Sequence, residues 1–191
     1  MKKLILASAS PRRSEILRAA GIRFEVRPTD TDESVPAGTP TSEAGCIIAG
    51  RKCRAAATAA ERPAAGDEIY ILAADTAVEC YGETLGKPHD RDEAVGMLHR
   101  LSGAEHFVTT GVTLRTVQRR YSFAVTTAVR FRALADEEIA YYVDRFRPFD
   151  KAGGYGIQEW IGYVAIESIN GSFYNVMGLP CLLYTSPSPR D

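Results

Sequence analysis

Three stretches of the chain place charges or hydroxyls where side chains can converge on a ligand. Ser8-Ala9-Ser10-Pro11-Arg12-Arg13 has Ser10 suited to an N-cap and Pro11 to the first helical position. It combines hydroxyls, the free N–H groups and positive dipole end of a helix, and two guanidinium forks, which together could grip a polyphosphate. From local pattern alone the commoner reading is a capped surface helix with two solvated arginines. Asp75-Thr76 follows the apolar run Ile69 to Ala74, so the carboxylate is either an acid or base at a strand end or a turn residue. Lys52, within an Ala-rich stretch, is either a phosphate ligand or a solvated helix lysine.

Lys87 lies in Gly82-Glu83-Thr84-Leu85-Gly86-Lys87-Pro88. Gly86-Lys87 has the look of a Walker A loop, but the six-residue frame and the Ser/Thr after the lysine are missing, so a P-loop is excluded. Asp150-Lys151-Ala152-Gly153-Gly154-Tyr155-Gly156-Ile157-Gln158 sets three glycines around Lys151 and Tyr155. Such a loop lets backbone approach a ligand, or has only a conformational role.

The elements that must position these groups follow from periodicity. Leu4 to Ala7 reads as a strand, and the helix from Ser10-Pro11 should turn Ile16, Leu17 and Ala20 inward and stop at Gly21. Ile22 to Val26 is expected as a second strand and Asp30 to Pro36 as an acidic loop. A helix from Thr41 or Ser42 to Ala60, with Ile47, Ile48 and Ala55 at helical spacing, should close at Pro63. Ile69 to Ala74 is expected as a buried strand ending at Asp75-Thr76. Asp90 with Glu93 forms a capping-box pattern for a helix through Leu101, stopped by Gly103. From Phe107 to Arg132 the period switches to two, predicting a long hairpin connected near Val117 to Arg120. Asp136 is expected to cap a helix carrying Ile139, Tyr142 and Val143, and Asn170-Gly171 to join another hairpin between Ala165-Ile166 and Phe173-Tyr174. Helices dominate the first half and strands the second, which argues for a mixed α/β sheet.

The 191 residues, 45% apolar, carry 23 Lys+Arg against 24 Asp+Glu, a net charge of −1. This is the composition of an ordinary globular protein with one core, and it excludes a generic nucleic-acid binder, so any phosphate site must be local. No apolar run is long enough to span a bilayer, so no membrane partner is expected. The apolar run after Lys2-Lys3 stops after four residues, which reads as a mature cytoplasmic start. Cys46, Cys53, Cys80 and Cys181 show no CxxC or zinc-finger spacing and are expected as reduced, mostly buried thiols.

Taken together, these features resemble the Maf family of nucleoside triphosphate pyrophosphatases. The resemblance rests on Leu6 to Arg13 with Glu15-Ile16-Leu17, Asp32-Glu33, Ala49 to Lys52, Ala74 to Val78, Leu85 to Pro88, Leu101-Ser102-Gly103 with His106, Thr109 to Val112, Asp150 to Gln158, and Gly171-Ser172 with Asn175 to Pro180. These stretches run in family order along about 180 residues.

The resemblance implies hydrolysis of a nucleoside triphosphate between the α and β phosphates with a divalent cation, Mg²⁺ or Mn²⁺. It implies an ITPase-like Maf fold: an elongated, mixed and largely antiparallel sheet flanked by helices, with two lobes around a central cleft. Residues 1–183 would form one domain. Arg13, Lys52 and Lys87 would neutralise the triphosphate, Ser8, Ser10 and the helix N-terminus would donate hydrogen bonds, and Glu33 with Asp75 would hold the metal. Asp75 is the expected general base, helped by a metal that acidifies the attacking water. Arg12, Thr76 and Gln158 match the branch that prefers dTTP and UTP over 7-methyl-GTP, and the amide of Gln158 can both donate to and accept from a base edge. A cytoplasmic homodimer is expected. The alternative is a nucleotide-binding regulator, for instance of cell division, without turnover; the retention of Glu33, Lys52, Asp75 and Lys87 argues against it.

Two departures from the family pattern stand out. Glu159-Trp160 occupies the place where many members have a glycine after the glutamine. After Pro180 the usual closing helix is replaced by a tail whose Pro187 and Pro189 prevent it, so residues 184–191 are expected to be disordered and to carry no catalytic group.

Overall fold

The computed structural model describes residues 2–58 and 68–181; the helix stop at Pro63 and the tail 184–191 lie outside them. Seven strands form one mixed sheet: β1 (Lys2–Leu6), β2 (Glu25–Val26), β3 (Glu68–Cys80), β4 (Glu83–Leu85), β5 (Glu105–Arg115), β6 (Arg120–Phe131) and β7 (Ile166–Asn170). Their order is β2-β1-β3-β5-β6-β7, with β4 paired to β3 off this path. β1 is parallel to both β2 and β3, whereas the β3–β4 and β6–β7 pairs are antiparallel. The helices are α1 (Pro11–Ala19), α2 (Thr41–Thr58), α3 (Arg91–Leu101), α4 (Asp136–Phe146), α5 (Trp160–Ala165) and α6 (Phe173–Met177). The chain divides into two compact units, one of Met1–Asp75, Thr110–Val125 and Gly178–Asp191, the other of Thr76–Thr109 and Thr126–Met177.

The first unit is built on α2 against one face of β3. Ala49, Cys53 and Ala56, spaced i, i+4, i+7, bury with Ile5, Ala7, Ile71 and Ala73 in one apolar cluster, as helical and strand periods require. The approach is close because two glycines meet. A Cβ on Gly111 of β5 would lie 2.2 Å from the Gly45 carbonyl carbon and 2.3 Å from the Cys46 nitrogen, so only a bare Cα fits between strand and helix. The Cys53 thiol donates to the carbonyls of Ile71 and Thr113 at 3.4 and 3.3 Å, and burial pushes its pKa up to about 12. It is an inert packing group.

The second unit has a larger core in which Leu98 and Leu101 of α3, Ile139 and Tyr142 of α4, and Val129 and Phe131 of β6 are buried together. Asp90 caps α3, its carboxylate accepting from the Glu93 N–H at 2.9 Å. Glu93 returns the bond to the N–H of His89, one residue earlier than a standard capping box.

Several expected boundaries shift. β3 does not end at Asp75-Thr76 but runs to Cys80, because β4 folds back and pairs Val78 with Leu85. Ala20 is exposed, and Arg13 and Ser14 take the buried positions beside Ile16 and Leu17. Only Glu25 and Val26 of the second expected strand pair with β1. In α2, Ile48 is buried and Ile47 is 38% exposed. Asp136 is the first helical residue of α4 rather than its cap; Ala135 holds the cap position and Glu138 accepts from its N–H at 3.0 Å. The hairpin expected around Asn170-Gly171 is instead a strand followed by a helix: β7 pairs with β6, and the Ser172 hydroxyl accepts from the Asn175 N–H to open α6. The 105–131 hairpin is present, with residues 116–119 as its connection. Of the cysteines, Cys53 and Cys80 are buried and Cys46 and Cys181 partly so, all with free thiols.

Candidate active site

In the first unit β1 delivers Ser8, α1 delivers Arg13, and the two meet. Arg13 Nη1 donates to the Ser8 hydroxyl at 3.0 Å while its Nε donates to the Gly178 carbonyl at 2.8 Å. Ser10 takes the N-cap place, but its hydroxyl makes no capping bond; its N–H donates to Ser8 Oγ at 3.2 Å. Burial lowers the Arg13 pKa to about 10, with Asp75 and Glu33 opposing that shift and Arg12 adding to it. The guanidinium therefore stays cationic at neutral pH, anchored by these two hydrogen bonds and immersed in the field of both carboxylates.

The central feature is a lysine between two acids. Lys52 Nζ lies 2.7 Å from Glu33 Oε1 and 2.8 Å from Asp75 Oδ1, with the lysine side chain only 12% exposed. Strand alternation explains the meeting: Ile69, Ile71, Ala73 and Asp75 share one face of β3, and that face carries the α2 cluster from which Lys52 projects. Thr76, the next residue, projects to the opposite face. Glu33 arrives on the acidic loop, which Arg51 holds by donating to the carbonyls of Asp32 and Ser34 on either side of it. Asp75 takes no hydrogen bond other than that from Lys52 among the described residues, so most of its acceptor capacity is open.

In the second unit Lys87 is exposed, on a loop tied down by the Gly153 N–H donating to the Gly86 carbonyl at 2.9 Å. Gln158 sits in the turn before α5, and its Oε1 is buried with no hydrogen-bond partner. Beside it lies a second ionic group to which the sequence reading assigned no role. Lys151 Nζ is 2.7 Å from Asp150 and 3.1 Å from Glu159, and Glu159 also accepts from the Tyr142 hydroxyl. Burial and the Glu159 carboxylate raise the Tyr142 pKa, so the phenol stays protonated. The signal available in the sequence was the acid Glu159 replacing a glycine at the end of a lysine-bearing loop.

Ser8, Arg13, Glu33, Lys52 and Asp75 thus gather in the first unit, while Thr76, Lys87 and Gln158 belong to the second. Arginine, lysine and paired carboxylates are the residue types that polyanion binding and acid–base chemistry use. The chain belongs to the Maf family: the family described as Maf-like protein matches residues 3–186. Among similar proteins, "dTTP/UTP pyrophosphatase" of Parabacteroides distasonis is 49% identical over 179 residues, covering 93% of this chain and 90% of that protein. A Bacteroides fragilis protein of the same name is 48% identical over the same shares, and one from Porphyromonas gingivalis is 47% identical over 95% of this chain and 91% of its own. Among the described residues no helix is long and apolar enough to cross a membrane.

Proposed function

We propose that the chain hydrolyses dTTP and UTP to the nucleoside monophosphate and pyrophosphate, with residues 1–183 acting as one catalytic domain in a cytoplasmic homodimer. The observation that carries this reading is the Lys52 ammonium held between Glu33 and Asp75, in a family whose similar members carry that activity in their names. Arg13, locked to Ser8 and Gly178, presents a fixed positive charge to the triphosphate. Lys52 and Lys87 add charge, and because Lys87 has no internal ion pair among the described residues it is available to phosphate. Asp75 accepts the proton of the attacking water; its open acceptor sites suit that role.

A divalent cation fits the residues present. Glu33 and Asp75 both reach Lys52 Nζ, and two carboxylates this near each other, with water and substrate phosphates, are the usual complement for Mg²⁺. Among the described residues no group of three or more His, Cys, Asp or Glu side chains could hold a metal alone, so substrate would complete the shell. When bound, the cation supplies acidification of the attacking water and neutralisation of phosphate charge. Glu33 and Asp75 would hold it in place of the Lys52 ammonium that lies between them, leaving Lys52 to turn toward phosphate. Arg12, Thr76 and Gln158 select the pyrimidine.

Product analysis tests the reading. Incubation of dTTP with the protein and Mg²⁺ or Mn²⁺ should give dTMP and pyrophosphate in equal amounts. Saturable dTTP binding without pyrophosphate release would instead support the regulator.

A further inference from the structure

The Lys151 group is built to hold the turn that carries Gln158. Residues 156–159 are closed by the Glu159 N–H donating to the Gly156 carbonyl at 3.0 Å. Both ends of this turn are fastened to one phenol: the Tyr142 hydroxyl accepts from the Gly156 N–H at 3.0 Å and donates to Glu159. Lys151, whose side chain is 9% exposed, pins the other Glu159 oxygen. A Cβ at Gly156 would come within 2.9 Å of Glu159 Cδ and 3.0 Å of Lys151 Cε, so the glycine is what lets the ion pair close over the turn. Of the two residues inside it, Ile157 is buried in the core and Gln158 is half-buried, its Oε1 shielded and unpartnered.

We infer that Glu159, clamped by Lys151 and Tyr142, is a positioning residue that fixes the Gln158 amide for the pyrimidine base. Glu159 touches neither base nor phosphate; it sets the turn, and the turn aims Gln158. The free Oε1 is an acceptor matched to the N3–H of thymine or uracil, and the amide N–H₂ can donate to a neighbouring carbonyl of the same ring. Preorganisation of that amide lowers the ordering cost of base binding, so its loss should fall on affinity rather than on the chemical step. This inference rests on the reading that Gln158 contacts the base.

The test compares Gln158→Ala, Glu159→Gln and Tyr142→Phe by steady-state kinetics with dTTP, using inhibition by inorganic tripolyphosphate as a base-free probe of the phosphate grip. Glu159→Gln should raise KM for dTTP about tenfold, the usual cost of a lost polar contact, with kcat and the tripolyphosphate inhibition constant each within about twofold. Tyr142→Phe should move KM the same way by a smaller factor. If Glu159→Gln leaves Lys151 unpaired and fails to fold, Lys151→Met with Glu159→Gln removes both charges and carries the same expectation. An unchanged KM in folded Glu159 variants, while Gln158→Ala raises it, overturns the positioning role alone. So does a tripolyphosphate constant that rises in step with KM. An unchanged KM in Gln158→Ala overturns the base contact itself, and with it the inference.

Discussion

Each unit of the molecule holds a nearly buried lysine between an inner and an outer carboxylate. Lys52 lies between Asp75 and Glu33, and Lys151 between Glu159 and Asp150; the lysines are 12% and 9% exposed, the inner acids 18% and 19%. The difference lies in what else holds the inner acid. Glu159 has its second oxygen bound by Tyr142, which in turn holds backbone, so both its oxygens are engaged within the fold. Asp75 is held by Lys52 alone among the described residues, which leaves acceptor sites open. The same three charges differ in the acceptor capacity they leave open, and the proposed roles of catalytic site and structural clamp follow from one further hydrogen bond.

This comparison can be broken from either side. The largest effect is expected at the open site: Asp75→Asn keeps the side-chain volume and should lower kcat by roughly 10²-fold or more, the typical loss on removing a positioned base. Near-normal turnover in a folded Asp75→Asn protein would remove Asp75 from that role. Gly111→Ala touches no substrate, yet its methyl group would collide with the backbone of α2 and push Lys52 away from Asp75. Overpacking of this kind costs about 1–3 kcal/mol, and thermal melts together with kcat should show both stability and turnover reduced. Retained activity despite a lowered Tm would show that the Lys52–Asp75 contact tolerates displacement of the helix.

The second unit offers a subtler test. His106 is fully buried, its Nε2 bonded to the Tyr155 hydroxyl at 2.8 Å, and burial pushes its pKa down to about 4. The unfolded chain titrates this imidazole near 6.5, so between pH 6.5 and 4 the unfolded state binds more protons and stability falls with acidification. The loss from pH 7 to pH 5 should be about 2 kcal/mol. Urea unfolding at the two pH values measures it, and a His106→Gln variant with the same pH dependence as the parent would assign the loss to other groups.

Much of this arrangement was legible in the chain, and what was not has a common cause. Ser10-Pro11 opening α1, Asp90 capping α3 and the 105–131 hairpin are local signals, set by residues within a few positions of one another, and they hold. The apparent strand end at Asp75 failed because β3 is prolonged by β4, a pairing no local pattern records. The 166–174 hairpin failed because Asn170-Gly171 is a strong turn signal that Ser172 converts into a helix start. Ser8, Arg13, Glu33, Lys52 and Asp75 were nameable through the family resemblance and do gather in one unit. The meeting of Gly45 with Gly111 and the reach of Tyr142 to Glu159 depend on tertiary packing across 66 and 17 positions, so neither helper could be read from spacing.

The most direct measurement is the ratio of kcat/KM values for dTTP and UTP against GTP and 7-methyl-GTP, read as pyrophosphate release with Mg²⁺ or Mn²⁺ present. Arg12, Thr76 and Gln158 predict that both pyrimidine nucleotides are preferred over either purine. A preference for 7-methyl-GTP would contradict the assignment of these residues, and no release from any of the four would contradict the assignment of Asp75 and Lys52 to catalysis.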